Sequence, residues 1–176
     1  MSNAQNGRHS RLVQAIGDRT VNYLRDELNI PVRGITVNMS DVKRMQLLDL
    51  TSILAVEADI RMLVAFSFDQ ELTEGVFVSS TEGLEIAEDE QEMMREETVA
   101  ELINIIVGNA VADLAPKGTV IPISPPIIIS EAKNITRHKG ATFYTLDIVT
   151  DNGRLSIHFI GPKELFDLNL NYVEKL

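Results

Sequence analysis

The chain has 176 residues, of which 44% are hydrophobic and 24% are charged, with a formal net charge of −10 and no cysteine. That length fits one globular domain, which buries roughly 70% of its unfolded surface. The acidic charge disfavours nucleic acid and membranes as partners. The lack of cysteine excludes disulfides, thiolate zinc sites and thiol nucleophiles, and it fits a cytoplasmic location.

The polar residues 1–10 are predicted to be disordered or the remnant of a tag, which leaves a single domain over residues 11–176. That domain begins with an amphipathic helix, Arg11–Leu28, which Asn29 and Pro31 end. The apolar side of the helix consists of Leu12, Val13, Ile16, Tyr23, Leu24 and Leu28.

Strands are predicted on both sides of a second long helix, Glu88–Ala115, which Pro116 ends. Gln70–Ser80 is ambiguous and allows a short helix. Asp151-Asn152-Gly153 has the residues of a hairpin turn, and a short tail follows to Leu176. The predicted strands are Val32–Met39, Leu48–Val56, Ile60–Phe68, Thr119–Ile129, Thr142–Thr150 and Arg154–Ile160.

The order of these elements is helix, three strands, helix, three strands. It predicts an α+β fold in which two long amphipathic helices pack on a mostly antiparallel sheet of about six strands. The similar length of the two halves suggests a duplicated unit, that is, a pseudo-two-fold αβββ-αβββ arrangement. No apolar run approaches the length of a membrane-spanning helix.

The second long helix carries a polar stripe in its middle. Glu97, Glu101, Asn104 and Gly108 recur at helical spacing and project on one side. An outward Asn or Gly weakens a helix relative to Ala, so two of them in mid-helix are unusual. From the spacing alone, a solvated polar face is still the favoured interpretation. The opposite side carries Val99, Leu102, Ile103, Ile106, Ala110 and Leu114.

Other kinds of site have weaker signals. His9, His138 and His158 are scattered without a paired spacing, so no metal site is predicted. The acidic run between Glu85 and Glu97 lies at the start of a helix, where the helix dipole favours negative charge. No cofactor site of this chain is indicated.

The segment Glu101-Leu-Ile-Asn104-Ile-Ile-Val-Gly108-Asn109-Ala110, followed by Leu114, Gly118 and Ile121–Ile129, resembles CheX, a member of the CheC/CheX family of chemotaxis phosphatases. In that family a pseudo-symmetric pair of long helices packs on a sheet. Two departures are present. Glu97 stands where the family often has Asp or Ser, and Pro125 and Pro126 fall slightly earlier than the family's proline.

The resemblance implies a phosphatase that hydrolyses the aspartyl phosphate of a CheY-like response regulator. Glu101 and Asn104 would be the catalytic residues, and Glu97 and Gly108 would bind the partner. The amide of Asn104 would position the attacking water, as a glutamine does in small GTPases. Glu101 would pair with the receiver's lysine and fix the docking register. The only metal expected is Mg²⁺ on the partner receiver domain.

The first helix carries no such pair, because Arg19, which precedes Asn22 by the same spacing, is a cation. CheC-type members have a site on both helices and CheX-type members only on the second, so one site indicates the CheX branch, whose members form homodimers through sheet elements. Two alternatives stay open: a non-catalytic adaptor that binds a receiver or a flagellar-switch protein on the same scaffold, and a structural homodimer with the polar face buried.

Overall fold

The computed structural model describes residues 3–40, 43–57, 61–130, 132–136 and 139–162. Within these ranges the helices are α1 (Asn3–Asn22), α2 (Gln70–Ser80) and α3 (Gln91–Leu114). A π-helical turn (Tyr23–Glu27) follows α1, and a 3₁₀ turn (Glu88–Glu90) precedes α3. The strands are β1 (Val32–Ser40), β2 (Arg44–Gln46), β3 (Leu50–Glu57), β4 (Arg61–Phe68), β5 (Ile127–Ile129), β6 (Asn134–Thr136), β7 (Ala141–Thr150) and β8 (Gly153–Pro162).

Six of these strands form one antiparallel sheet in the order β1-β7-β8-β4-β3-β5, and β2 pairs with β6 in a separate two-stranded sheet. Exchanging α1-β1-β2-β3-β4 with α3-β5-β6-β7-β8 maps this order onto itself. The predicted α+β fold with a pseudo-two-fold arrangement is therefore confirmed. Each half contains one short strand more than predicted, and α2 lies between the halves in sequence.

Helix α1 differs from its prediction at both ends. It begins at Asn3, inside the segment 1–10 that was predicted to be disordered; the division of the chain into that segment and a domain from residue 11 stays a prediction. At its other end the Leu28 amide donates to the Tyr23 carbonyl oxygen over 3.2 Å, which makes the last turn π-helical. Asn29, at φ 54°, then ends the helical backbone.

The core lies between one face of the sheet and the helices. Alternate residues of β3, Leu50, Leu54 and Val56, are buried in it because successive side chains of a strand point to opposite faces. The aromatic rings of Tyr144 and Phe159, on neighbouring strands, meet edge to face with their centroids 6.1 Å apart. As predicted, the apolar side of α1 packs here, with Tyr23 partly buried at its margin.

The strand predicted over Thr119–Ile129 is mostly wrong. Only β5, residues 127–129, is regular strand. Pro122, Pro125 and Pro126 have no amide hydrogen to give to a ladder, so the preceding segment cannot form one. It follows β3 through separate contacts instead. The Glu57 amide donates to the Pro122 carbonyl over 2.9 Å, and Ser124 hydrogen-bonds Ala55 at two points.

The ambiguous segment Gln70–Ser80 forms helix α2, which is fixed at its start by Asp69. One carboxylate oxygen of Asp69 accepts from the Leu72 amide at 2.9 Å, and the other accepts from the Arg154 amide at 2.9 Å. Asp69 therefore joins the start of α2 to the hairpin Asp151-Asn152-Gly153, which forms the turn between β7 and β8 as predicted.

Gly153 in this hairpin has φ +114°, and a Cβ there would come 2.8 Å from the Leu72 amide nitrogen and collide with Asp69. We expect Gly153→Ala to lower the free energy of unfolding by about 2–3 kcal/mol, measured by urea unfolding. Gly83→Ala is the matched control, because Gly83 also has positive φ (+81°) but open space around it. Equal losses in the two variants would contradict the close approach.

His158, one of the three histidines, lies on β8 and is 4% exposed. Its Nδ1 is 2.9 Å from the Thr145 hydroxyl, and its Nε2 has no hydrogen-bond partner among the described residues. Burial lowers the pKa of His158 from 6.5 to about 4, against a smaller opposite effect of Asp147. The side chain of His9 and all of His138 lie outside the described residues, and no metal-ligand cluster occurs within the described ranges.

Because the folded chain keeps His158 neutral while the unfolded chain protonates it near pH 6.5, acid favours unfolding. As pH falls from about 6.5 to about 4, we expect His158 to remove about 3 kcal/mol from the free energy of unfolding. The measurement is urea unfolding across this pH range in the wild type and in His158→Leu. A leucine variant with an equally steep pH dependence would refute the contribution.

None of the described helices combines the length and apolarity needed to cross a bilayer. The predicted tail, residues 163–176, lies outside the described residues, as does Ile60 at the predicted start of β4.

Candidate functional site

The predicted polar stripe lies on α3, the longest helix described. Glu88, Asp89 and Glu90 immediately precede it, where negative charge complements the helix dipole. Arg95 holds this end against α2, because its Nε is 2.7 Å from Glu74 Oε2 and its guanidinium lies over the Phe77 ring. The buried face of α3 consists of Val99, Leu102, Ile103, Ile106, Val107, Ala110 and Val111.

The opposite face of α3 is open. Glu97, Glu101 and Asn104 are exposed and Gly108 is half-buried, so the structure brings the four predicted site residues together on one surface. Within the described part of the chain, the side chains of Glu101 and Asn104 have no ion pair or hydrogen bond. Burial of this face within its own chain is therefore excluded, while a structural homodimer in which a second copy covers the face stays an alternative. The carboxylate and the amide, one turn apart, are free to contact water and a second molecule.

Gly108 is not required by packing inside the chain. A Cβ at this position would meet only Ile123 Cδ1, at 4.0 Å, which is ordinary van der Waals contact. Because Gly108 has no side chain, the backbone of α3 is open to close approach from outside at this position. The segment that carries Ile123 also exposes Val120, by 87%.

The end of α1 borders the site on another side, which the sequence did not predict. Tyr23, in the π-helical turn, is half-buried and lies close enough to Glu101 to feel its charge. Burial raises the pKa of the Tyr23 phenol, and the carboxylates of Glu27 and Glu101 raise it further. Tyr23 was predicted only as part of the apolar side of α1. Its place at the last turn of a helix, beside two acidic residues, is the only signal in the sequence.

An open groove of about 500 Å³ runs between the two helices at this point. We name it the α1–α3 groove, and it is lined by Arg19, Asn22, Tyr23, Asp26, Glu27, Ile105, Ile106 and Asn109. At one end Arg19 forms an ion pair with Asp113, 2.5 Å between Nη2 and Oδ2. Arg19, which stands on α1 where a second site would need a carboxylate, therefore joins α1 to α3.

The sequence model of a family described as chemotaxis phosphatase CheX matches residues 50–149, which include all of α3. The chain belongs to the CheX family. The resemblance predicted from Glu101–Ile129 is thereby confirmed.

Solved structures agree with this membership at the level of the fold. A CheX from Desulfovibrio desulfuricans matches with a TM-score of 0.70 and 15% identity, over 84% of this chain and 97% of that one. The CheX–CheY–BeF₃–Mg²⁺ complex from Borrelia burgdorferi gives a TM-score of 0.66 and 22% identity, over 85% of this chain and 96% of that one.

The same fold extends to a protein with another name. FliY from Thermotoga maritima matches with a TM-score of 0.53 and 13% identity, over 94% of this chain and 93% of that one. Among curated proteins, no sequence matches the chain significantly.

Proposed function

We propose that this protein hydrolyses the aspartyl phosphate of a CheY-like response regulator by positioning the attacking water with Asn104. The observation that supports this is the exposed pair of Glu101 and Asn104, one turn apart on a helix whose other face is anchored in the core. Membership of a phosphatase family supports the reaction class. The complex of the Borrelia burgdorferi CheX with CheY supports the choice of partner.

The proposed reaction needs little covalent chemistry from this chain. Water attacks phosphorus, the bond between phosphorus and the receiver's aspartyl oxygen breaks, and the carboxylate leaves while inorganic phosphate forms. Mg²⁺ on the receiver neutralises charge on the phosphoryl oxygens, so the remaining task is to hold water in line. A carboxamide such as Asn104 can accept from water and donate to it without adding negative charge near the phosphoryl group.

Glu101 has a different role in this proposal. A carboxylate beside the phosphoryl oxygens would be repelled, which makes it a poor base for the water. One turn from Asn104 it can instead pair with the receiver's lysine and set the register of docking. Glu97 extends the same surface by one more turn. Gly108, with open space on its outer side, lets the partner's backbone approach the helix closely.

We further propose a homodimer formed through sheet elements, in the cytoplasm. Strands β1 and β5 are the edges of the main sheet, and β1 exposes Val37 and Met39. Unpaired edge strands are the places where a second chain can add to a sheet. Sedimentation equilibrium of the purified chain tests this state, and a monomer at all accessible concentrations would contradict it.

The phosphatase proposal is tested by the lifetime of the phosphoaspartate on CheY-type receivers, with and without this protein. A lifetime shortened in proportion to catalytic amounts of the chain is the expected result. The second candidate is a non-catalytic adaptor, since an exposed polar face can bind a receiver without hydrolysing its phosphate. A receiver that binds the chain but keeps its phosphate for the same time would decide for the adaptor.

A further inference from the structure

The α1–α3 groove opens beside the exposed pair of α3 and has the lining of a binding site for one long side chain. Its floor is apolar, with Ile106 buried and Ile105 half-buried. The ring of Tyr23 stands at its side, half-buried. Exposed carboxamides, Asn22 and Asn109, form part of its rim. A groove of this kind fits a flexible aliphatic stem that ends in a polar group.

The charge at the open end of the groove is negative and uncompensated. Asp26 and Glu27 are both exposed, and within the described residues neither forms an ion pair. Arg19, the one cation in the lining, is already paired with Asp113. Glu101, whose carboxylate also raises the pKa of the Tyr23 phenol, adds a third carboxylate without an ion pair among the described residues. The lining therefore contains no free cation that could neutralise the carboxylates near the Tyr23 ring.

We propose that the α1–α3 groove receives a lysine or arginine side chain of the docked receiver, distinct from the lysine that pairs with Glu101. The methylene stem lies on Ile105 and the Tyr23 ring, and the charged end reaches Asp26 and Glu27. Long cationic side chains bury their stems on apolar surface while their charge stays near solvent, and a cation is also attracted to a tyrosine face. The identity of the partner rests on the proposed function.

This contact sets which receiver is bound and in what orientation, and leaves the chemistry unchanged. The lining of the groove includes neither Glu101 nor Asn104, and in the proposed mechanism its residues take no part in placing the water. Their contribution is present equally before and during the reaction, so its loss raises KM and leaves kcat unchanged. Charge pairs at the rim of an interface also act mainly on association and on its salt dependence.

The test uses the double variant Asp26→Asn with Glu27→Gln, which removes both charges and keeps side-chain shape. We expect KM for a phosphorylated CheY-type receiver to rise about tenfold at low salt, kcat to stay within twofold, and the salt dependence of KM to become shallower. The matched control is Glu82→Gln with Glu85→Gln, which removes two exposed charges outside the groove. Thermal unfolding checks that both variants fold.

A second set of measurements separates this inference from the proposed function. Titration with a receiver activated by beryllofluoride and Mg²⁺ gives Kd whether or not hydrolysis occurs. Equal Kd for wild type and groove variant, with an active wild type, would overturn the groove assignment alone. A wild type that binds without hydrolysing would overturn the phosphatase, while a tenfold rise in Kd would still support the groove. If the wild type binds no receiver, both proposals fail.

Charge exchange identifies the partner residue. Glu27→Lys is expected to weaken binding, and replacing one surface lysine or arginine of the receiver by glutamate is expected to restore it. Restoration by a single position supports the contact and names it. A survey of the receiver's cationic surface positions in which none restores binding contradicts the proposed occupant.

Discussion

Asn104→Ala is expected to slow dephosphorylation of a bound receiver by about 10²-fold or more, the scale for removing one aligned catalytic group. The amide is exposed and has no partner within the described chain, so the loss falls on the positioned water alone. The measurement is inorganic phosphate released from a phosphorylated receiver under saturating conditions. The matched control is Gln70→Ala, which removes an exposed carboxamide from the first residue of α2.

The variant should fold as well as the wild type. Alanine is a better helix former than asparagine, and no internal contact is removed, so the free energy of unfolding stays equal or rises by a few tenths of a kcal/mol. A loss of activity with unchanged thermal stability therefore identifies a functional role. Phosphate release that survives within a few-fold of the wild type would exclude Asn104 as the group that positions water.

Glu101→Lys is expected to weaken receiver binding by about tenfold or more. The substitution places a cation opposite the receiver's lysine, so an attraction becomes a repulsion at close range. Titration with a beryllofluoride-activated receiver measures the Kd. Since Glu101 has no ion pair within the described residues, the change removes nothing that holds the fold together.

Glu85→Lys is the control for the charge change, because Glu85 is exposed and precedes the 3₁₀ turn, away from the polar stripe. Both variants change the net charge of the chain equally. Any effect of net charge on binding to the receiver is therefore the same in the two variants. The docking assignment requires the Glu101 variant to bind distinctly more weakly. Equal Kd values for the two variants would remove it.

The polar stripe on α3 could be predicted because both faces of the helix have the same period. Val99, Leu102 and Ile106 are buried, and the residues between them, Glu101 and Asn104, are exposed as the spacing required. Hydrophobic periodicity is the strongest local signal in a sequence. This period determines whether a side chain points toward the core or away from it. The exposure of the Asn104 amide could therefore be predicted from the sequence alone.

The groove and the proline segment could not be predicted in the same way. Tyr23 comes near Glu101 only because two helices far apart in sequence pack side by side, and the period of one helix contains no information on its neighbour. The segment around Pro122 has the apolar residues of a strand, but each missing amide hydrogen removes a ladder bond. Strands β2 and β6 were missed because three residues are too few to show a period.

The order of strands in the main sheet constrains how the chain can be made. β1 has one neighbour in the sheet, β7, and Ile35 of β1 pairs with Ile148, more than a hundred residues later in the chain. On a ribosome, which releases a chain from its amino end, β1 emerges long before the strand that will cover it. Pairs so distant in sequence close slowly, and an unpaired strand is prone to self-association meanwhile. The nascent protein therefore gains from delayed collapse or a chaperone until β7 has left the exit tunnel.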